Sequence, residues 1–269
     1  TEPVERASYY SYFAGQNMIY TLFNVCLTTY LLFLGIDPIK SATVMLVVKV
    51  WDAVNDTLFG VIFDSIKFKS GKKYLPWLRV STVLIPIATV LTFIIPSGSS
   101  QAVKLGWFAV AYILWDTAYT LCDVPIFGIL TSMSQSIDER NTIQSYKSIA
   151  TYVGVGITST LSTVLVSEQV GMNYGMIAII ICVIAFALMS PASFKLQERF
   201  HAESEETFKN KKMFSYLVKN KYLLIYYVGI FFYSSLSIGN AFTLYVSYYL
   251  FNSALFSLLV GAIGTVLQL

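Results

Sequence analysis

The sequence predicts an all-α fold, a polytopic bundle of helices that cross a membrane. Of its 269 residues, 56% are hydrophobic and only 12% are charged, whereas soluble domains carry roughly 25% charged residues. The apolar stretches recur at the length that a helix needs to cross a bilayer, which is about 20 residues. Short segments of alternating hydrophobicity, the pattern of a transmembrane barrel, are absent. These observations together favour a helical bundle in lipid.

Seven spans and the start of an eighth follow along the chain. The seven cover about Ser8–Leu34, Ser41–Phe63, Trp77–Ile95, Leu105–Met133, Ser145–Val166, Met172–Phe194 and Tyr222–Phe251. The eighth begins near Ser253 and still continues at Leu269, so we expect the chain to be truncated. The charged segment from Glu203 to Lys221 predicts a cytoplasmic linker. The expected organisation is an N-terminal six-helix bundle (1–196), the linker (197–221) and the start of a C-terminal bundle (222–269).

Basic residues predict the orientation, because cytoplasmic loops collect Lys and Arg. The loops after the second, fourth and sixth spans are basic, whereas the opposite loops contain only Lys40 and Lys104. The N-terminus is therefore expected in the cytoplasm. The formal net charge of +3 follows from this topology, so membrane lipid is an expected partner and nucleic acid is not.

The sequence contains few of the residues and motifs that enzymes use for catalysis. Its single histidine, His201, lies in the charged segment, and Cys26, Cys122 and Cys182 fall within apolar helices, where free thiols are expected. A Gly-rich phosphate loop and a nucleophile elbow are both missing from the sequence. We therefore expect no enzymatic activity and no bound cofactor.

Charged residues in the second span are the strongest functional signal. Lys49, Asp52 and Asp56 are spaced i, i+3, i+7 on one helix face, with Asn55 beside them. An ionised side chain at membrane depth costs at least ~3 kcal/mol, so such residues face a partner, a cavity or a substrate. The stripe predicts a cation site with a counter-charge, for Na⁺, Li⁺ or a proton. The alternative is that Lys49 and Asp52 form an ion pair that only fixes helix packing.

The fourth span repeats this pattern with Asp116, Thr120 and Asp123 at i, i+4, i+7. Asp123 precedes Pro125, which loosens the helix locally, and its carboxylate suits a pair of sugar hydroxyls. Tyr119 and Phe127 flank it and are candidates to stack on a pyranose ring, although most aromatic residues here must simply pack. Asp116 also fits a carboxylate that reaches towards water.

The link after the second span places Asp64 before Lys72 and Lys73. This arrangement fits a pair of gating charges, and an ordinary basic cytoplasmic loop explains much of it as well.

These residues resemble one known family. The segments that carry the resemblance are Lys49-Val-Trp-Asp-Ala-Val-Asn-Asp56, Gly60-x3-Asp64, Gly71-Lys-Lys-x2-Pro-Trp77, Tyr112-Ile-Leu-Trp115, Tyr119-Thr120-x2-Asp123-x-Pro125 and Asp138-Glu-Arg140 with Ser145-Tyr146. Together they are similar to the glycoside–pentoside–hexuronide:cation symporters of the major facilitator superfamily. The similarity extends over the first seven spans.

The resemblance implies a site residue by residue. It assigns the cation site to Asp52, Asn55, Asp56 and Thr120, with Na⁺ at Asp52 and Asp56 if sodium is the coupling ion. It assigns sugar binding to Asp123 and Tyr119. The charges themselves, apart from the resemblance, predict gating or charge-pair roles for Lys49, Asp64, Lys72, Lys73 and Arg140.

Other sugar positions depart from the family's pattern. Gln16 and Asn17 replace a Lys-Asp pair, and Phe127 replaces a tryptophan. The arginine of the fifth span reads Ser148, with Lys147 adjacent. Asp116 replaces a small residue and is expected to restore the acid lost at Asn17.

The expected function is cation-coupled sugar or glycoside uptake by alternating access in a bacterial cytoplasmic membrane. The resemblance implies twelve helices, so further C-terminal helices of the same protein are expected partners. Three alternatives remain: a proton-only symporter or sugar exchanger, a transporter-like sugar receptor, and a carrier of amphipathic substrates.

Overall fold

The computed structural model describes residues 1–66, 68–200, 219–236 and 242–259. Its helices are α1 (Pro3–Phe33), α2 (Pro38–Ser65), α3 (Leu75–Phe93), α4 (Gln101–Met133), α5 (Ile137–Val166), α6 (Tyr174–Lys195), α7 (Lys221–Leu236) and α8 (Thr243–Phe251). The described part of the chain contains no strand. The all-α fold class is therefore confirmed.

The first six predicted spans all correspond to helices, and the largest difference is at the start of α5. This helix begins at Ile137, eight residues before the predicted start, because the Ser136 hydroxyl accepts the Glu139 N–H (3.3 Å) and caps it. Arg140, expected in a loop, therefore lies in the first turn of α5.

The C-terminal part is described only partly. The predicted seventh span corresponds to α7 and α8, and residues 237–241 between them lie outside the described residues. Residues 256–259 are helical at the position predicted for the eighth span. The predicted linker falls mostly on residues 201–218, which are also outside the described residues, so the domain division stays a prediction.

Four helices of the described chain, α3 to α6, are long and apolar enough to cross a membrane. Helices α1 and α2 have 31 and 28 residues, which at 1.5 Å per residue is roughly 42 Å or more. They carry most of the predicted site residues that lie outside α4.

Helix pairing defines the bundle. Helix α1 packs against α5 and α6, α3 packs against α4 and α6, and α2 packs mainly against α4. Glycines allow the close contacts of α1: a Cβ on Gly15 would lie 2.7 Å from the Ala185 carbonyl oxygen of α6, and one on Gly154 of α5 would collide with the Ala14 carbonyl. The three cysteines are buried and free, as predicted.

A short segment after α6 ties several helix ends together. The Glu198 carboxylate accepts the backbone N–H groups of Lys73, Tyr74 and Leu75 at 2.7–2.8 Å. It thereby satisfies backbone N–H groups at the start of α3. The first N–H groups of any helix lack a partner within the helix. The neighbouring Arg199 bonds to Glu5 of α1 (2.9 Å).

Glu198→Ala is expected to lower the stability of the protein by about 1–3 kcal/mol, because it leaves backbone donors without their charged acceptor. Glu198→Gln, which keeps one acceptor oxygen, should lose less. The midpoint of thermal unfolding of the purified protein in detergent measures both effects. Gln197→Ala, at an exposed neighbouring position, is the matched control. An unchanged midpoint in Glu198→Ala would show that this cap contributes nothing.

Candidate functional site

Hydrogen bonds between α2 and α4 form the centre of the candidate site. The Asn55 amide donates from Nδ2 to Thr120 Oγ1 at 2.9 Å, and Thr120 Oγ1 lies 3.1 Å from Asp56 Oδ1. One turn towards the N-terminus of α2, Trp51 Nε1 donates to Thr117 Oγ1 at 3.3 Å. These contacts join two helices whose polar faces would otherwise lie in an apolar bundle.

The Thr120 hydroxyl has a single proton to donate. It accepts from Asn55, so its proton is available to Asp56 Oδ1, with the main-chain oxygen of Asp116 as a weaker second acceptor at 3.3 Å. Asn55 is fully buried, and its Oδ1 has no hydrogen-bond partner among the described residues. The set therefore presents carboxylate, amide and hydroxyl oxygens at one place, with acceptor capacity to spare.

An ion pair lies beside these oxygens. Lys49 Nζ is 3.1 Å from Asp52 Oδ2 and 3.8 Å from Asp116 Oδ1. The side chains differ in exposure: 58% for Lys49, 32% for Asp52 and 4% for Asp116. Asp52 and Lys49 thus face the open side of α2, and Asp116 lies behind them in α4. From the family resemblance, Asp116 was expected to restore the acid lost at Asn17. The structure places it beside Lys49 and Asp52 instead.

A second polar pair lies further along the same face of α4. Gln16 of α1 donates from Nε2 to Asp123 Oδ1 at 2.8 Å. Gln16 is 1% exposed, so its amide holds the carboxylate from inside the bundle. Asn17, its predicted companion, donates to the Phe13 carbonyl (2.9 Å) and lies 3.5 Å from Thr151 Oγ1 of α5. Only one of the two predicted α1 amides therefore reaches Asp123.

Aromatic rings surround this pair. Tyr119 stacks on Trp115 with ring centroids 5.1 Å apart, an arrangement that fixes the tyrosine ring against its own helix. Phe127 packs edge-on against Phe13 at 5.3 Å. The Lys147 ammonium lies over both phenylalanine rings, at 4.6 and 4.7 Å from their centroids. The Lys147 ammonium and the two phenylalanine rings therefore lie on the same side of the bundle as Asp123.

Three of the predicted gating residues, Lys72, Lys73 and Arg140, lie at the end of the bundle that holds the N-terminus. Lys49 lies elsewhere, within α2 beside Asp52. Lys72 and Lys73 are in the link between α2 and α3, where the Lys73 ammonium lies 5.5 Å over the Tyr74 ring. The Asp64 side chain lies outside the described residues. Glu198 and its contacts were not predicted, since nothing in the local sequence pairs residue 198 with the start of α3.

The donor types restrict the chemistry. Among the described residues, His, Cys, Asp and Glu side chains form no group of three or more arranged to hold a metal ion. The candidate site instead combines carboxylates with amide and hydroxyl oxygens, and hard cations prefer oxygen ligands.

Membrane-length helices with a polar site between them define a multi-pass membrane protein. The family model of MFS/sugar transport proteins matches residues 8–269, nearly the whole chain. The chain belongs to this family, and its fold is that of the major facilitator superfamily.

Individual relatives carry transporter names. The isoprimeverose transporter of Lactiplantibacillus pentosus is 26% identical over 250 residues, which cover 87% of this chain and 51% of the relative. The putative glycoside/cation symporter YagG of Escherichia coli (strain K12) is 32% identical over 143 residues, 51% of this chain and 31% of the relative. The sodium-dependent lysophosphatidylcholine symporter 1 of Mus musculus is 24% identical over 136 residues, 49% of this chain and 26% of the relative. The chain thus spans about half the length, or less, of these curated relatives.

Thr120→Val is expected to lower stability by about 1–3 kcal/mol, because the buried Asn55 amide loses its acceptor while the side-chain shape is kept. Thr120→Ser retains the hydroxyl and serves as the matched control, with a smaller loss. Thermal unfolding in detergent measures both variants. Equal midpoints for Val and Ser would mean that the hydroxyl does not hold α2 to α4.

Proposed function

We propose that the intact protein is a cation-coupled symporter of a sugar or glycoside, working by alternating access. One observation carries the proposal: a single face of α4 bears both Thr120, bonded to Asn55 and Asp56, and Asp123, bonded to Gln16. The two α4 residues are three positions apart, a rise of roughly 4.5 Å. One ligand of the proposed cation site, Thr120, and the carboxylate proposed for the sugar, Asp123, therefore lie on the same helix.

The cation is proposed to bind Asp52 and Asp56, with Asn55 and Thr120 completing its oxygen ligands. The unpartnered Oδ1 of the buried Asn55 supports this role, because a buried acceptor without a partner is costly unless a ligand uses it. A monovalent cation also reduces the negative charge that the carboxylates bring to membrane depth. Sodium, lithium and the proton all fit these requirements.

The sugar is proposed to bind at Asp123. Gln16 occupies one oxygen of this carboxylate, and a carboxylate retains acceptor capacity for further hydroxyl groups. Tyr119, Phe127 and Lys147 stand around it as candidate contacts. Asn17 is less suited to a direct role in this conformation, because its amide already bonds within α1.

Coupling follows from the shared helix. A cation at Asp56 would change the position of Thr120, which bonds to that carboxylate. A shift of α4 at Thr120 would also move Asp123, which lies within one turn of the same helix. If one ligand raises affinity for the other, the second must raise affinity for the first by the same factor. Alternation would then involve the rocking of this bundle against further C-terminal helices of the protein.

The remaining assignments stay proposals of the same kind. We place the protein in a bacterial cytoplasmic membrane with a cytoplasmic N-terminus, and we assign Asp64, Lys72, Lys73 and Arg140 to the cytoplasmic gate. A lysophospholipid is a second candidate substrate, favoured only by the names of some relatives.

Uptake of labelled substrates by the intact protein in proteoliposomes tests the proposal. The panel contains isoprimeverose, other glycosides and a lysophosphatidylcholine, each with Na⁺, with Li⁺ and with neither over a pH series. We expect Na⁺ or Li⁺ to raise the apparent affinity for one glycoside at least tenfold. Asp52→Asn should remove this gain, and Asp123→Asn should remove sugar binding while cation binding remains.

Asp138→Asn, an exposed acid at the start of α5, is the matched control and should behave as wild type. If pH alone changes affinity, the coupling ion is a proton. If only the lysophospholipid is transported, the sugar assignment fails. If sugar affinity is the same with and without every cation, the coupling assignment fails.

A further inference from the structure

Lys49 stands between two carboxylates that it does not contact equally. Its ammonium lies at hydrogen-bond distance from Asp52, at 3.1 Å, and at 3.8 Å from Asp116. The second separation is an ion-pair distance beyond the usual hydrogen-bond range of about 2.7–3.2 Å. In this arrangement Lys49 therefore forms a hydrogen bond to Asp52, and Asp116 lies just beyond hydrogen-bond distance of its ammonium.

Asp116 is the under-satisfied member of this group. Its side chain is 4% exposed, and its Oδ2 has no hydrogen-bond partner among the described residues. A buried carboxylate with an unpaired oxygen is expensive, and the cost is relieved when a charged donor approaches. The donor at hand is the Lys49 ammonium, which has three protons and a flexible stem that is 58% exposed and so has room to move.

We propose that Lys49 is a tethered competitor for the coupling cation, and that Asp116 is the positioning residue that receives its ammonium when the cation binds Asp52. The inference rests on the proposed cation site and deepens it. A movement of about 1 Å brings the ammonium from ion-pair to hydrogen-bond distance of Asp116.

The exchange has two consequences. With no cation bound, the ammonium pairs with Asp52 and keeps that carboxylate compensated at membrane depth. When a cation arrives, like-charge repulsion drives the ammonium away from Asp52, and Asp116 offers it a new partner. Asp116 therefore sets the affinity for the cation through Lys49, without being a ligand itself.

A double-mutant cycle in the intact protein tests this mechanism. The variants are Asp116→Asn, Lys49→Gln and the double substitution, and the measured quantity is the dissociation constant of labelled sodium in proteoliposomes without sugar. Asp116→Asn should weaken sodium binding about tenfold, because Lys49 keeps only Asp52 as a partner and competes more strongly. Lys49→Gln should strengthen sodium binding about tenfold. When Lys49→Gln is already present, adding Asp116→Asn should change the dissociation constant less than threefold.

Asp116→Glu tests the same role by rescue and should restore most of the lost affinity, since it returns a carboxylate. Asp138→Asn controls for the loss of one negative charge and should leave the constant unchanged within twofold. If Asp116→Asn does not fold, Lys49→Gln alone decides, because weaker or equal sodium binding in that variant contradicts a competing ammonium.

Two failures are distinguishable. In the first, Asp116→Asn weakens sodium binding by the same factor with and without Lys49. Asp116 then acts on the ion directly, and the tethered-competitor mechanism is wrong while the cation site stands. If the wild-type protein binds no sodium or lithium at any concentration, the proposed coupling to these ions fails, and the inference fails with it.

Discussion

The site depends on one constraint: a polar side chain buried at membrane depth must find its partner on another helix. Asn55 is fully buried and would be costly alone, and Thr120 accepts its amide proton at 2.9 Å. This contact fixes the rotation of α2 against α4. Once that rotation is set, Asp56 meets the same hydroxyl. Lys49 and Asp52, on the same face of α2, come to lie beside Asp116.

Helix α4 carries the constraint to the rest of the bundle. Its face continues from Thr120 to Asp123, where Gln16 of α1 supplies the next contact between helices. Helix α1 in turn is held tightly against α5 and α6, where Gly15 and Gly154 leave no space for a side chain. The polar groups of α2 are thus connected through α4 to the most closely packed helix. A displacement at one of these polar pairs would therefore move elements that also hold the other pair.

Much of the fold could be predicted from the sequence because hydropathy and helix length report directly on burial in lipid. The first six spans were located correctly, and the errors at their ends have local causes, such as the Ser136 cap that starts α5 early. The i, i+3, i+7 stripe in α2 also predicted which residues share a face. Such spacing is a property of one helix, so the sequence reveals it without knowledge of the partner helix.

Contacts between distant segments could not be predicted in the same way. The sequence offered Gln16 and Asn17 as equal candidates, and only the rotation of α1 against α4 decides that Gln16 meets Asp123. The same holds for Asp116, whose neighbour is Lys49 rather than Asn17, and for Glu198 at the start of α3. Each depends on the packing of helices, which spacing along one helix does not encode.

The proposed cation site between α2 and α4 and the proposed sugar site at Asp123 are linked through α4. Equilibrium binding of labelled sodium and of the transported sugar to the intact protein, each with and without the other, tests this link most directly. We expect sodium to strengthen sugar binding about tenfold or more, and sugar to strengthen sodium binding by the same factor, because linkage requires the two factors to be equal. Affinities that are independent of the other ligand would contradict it.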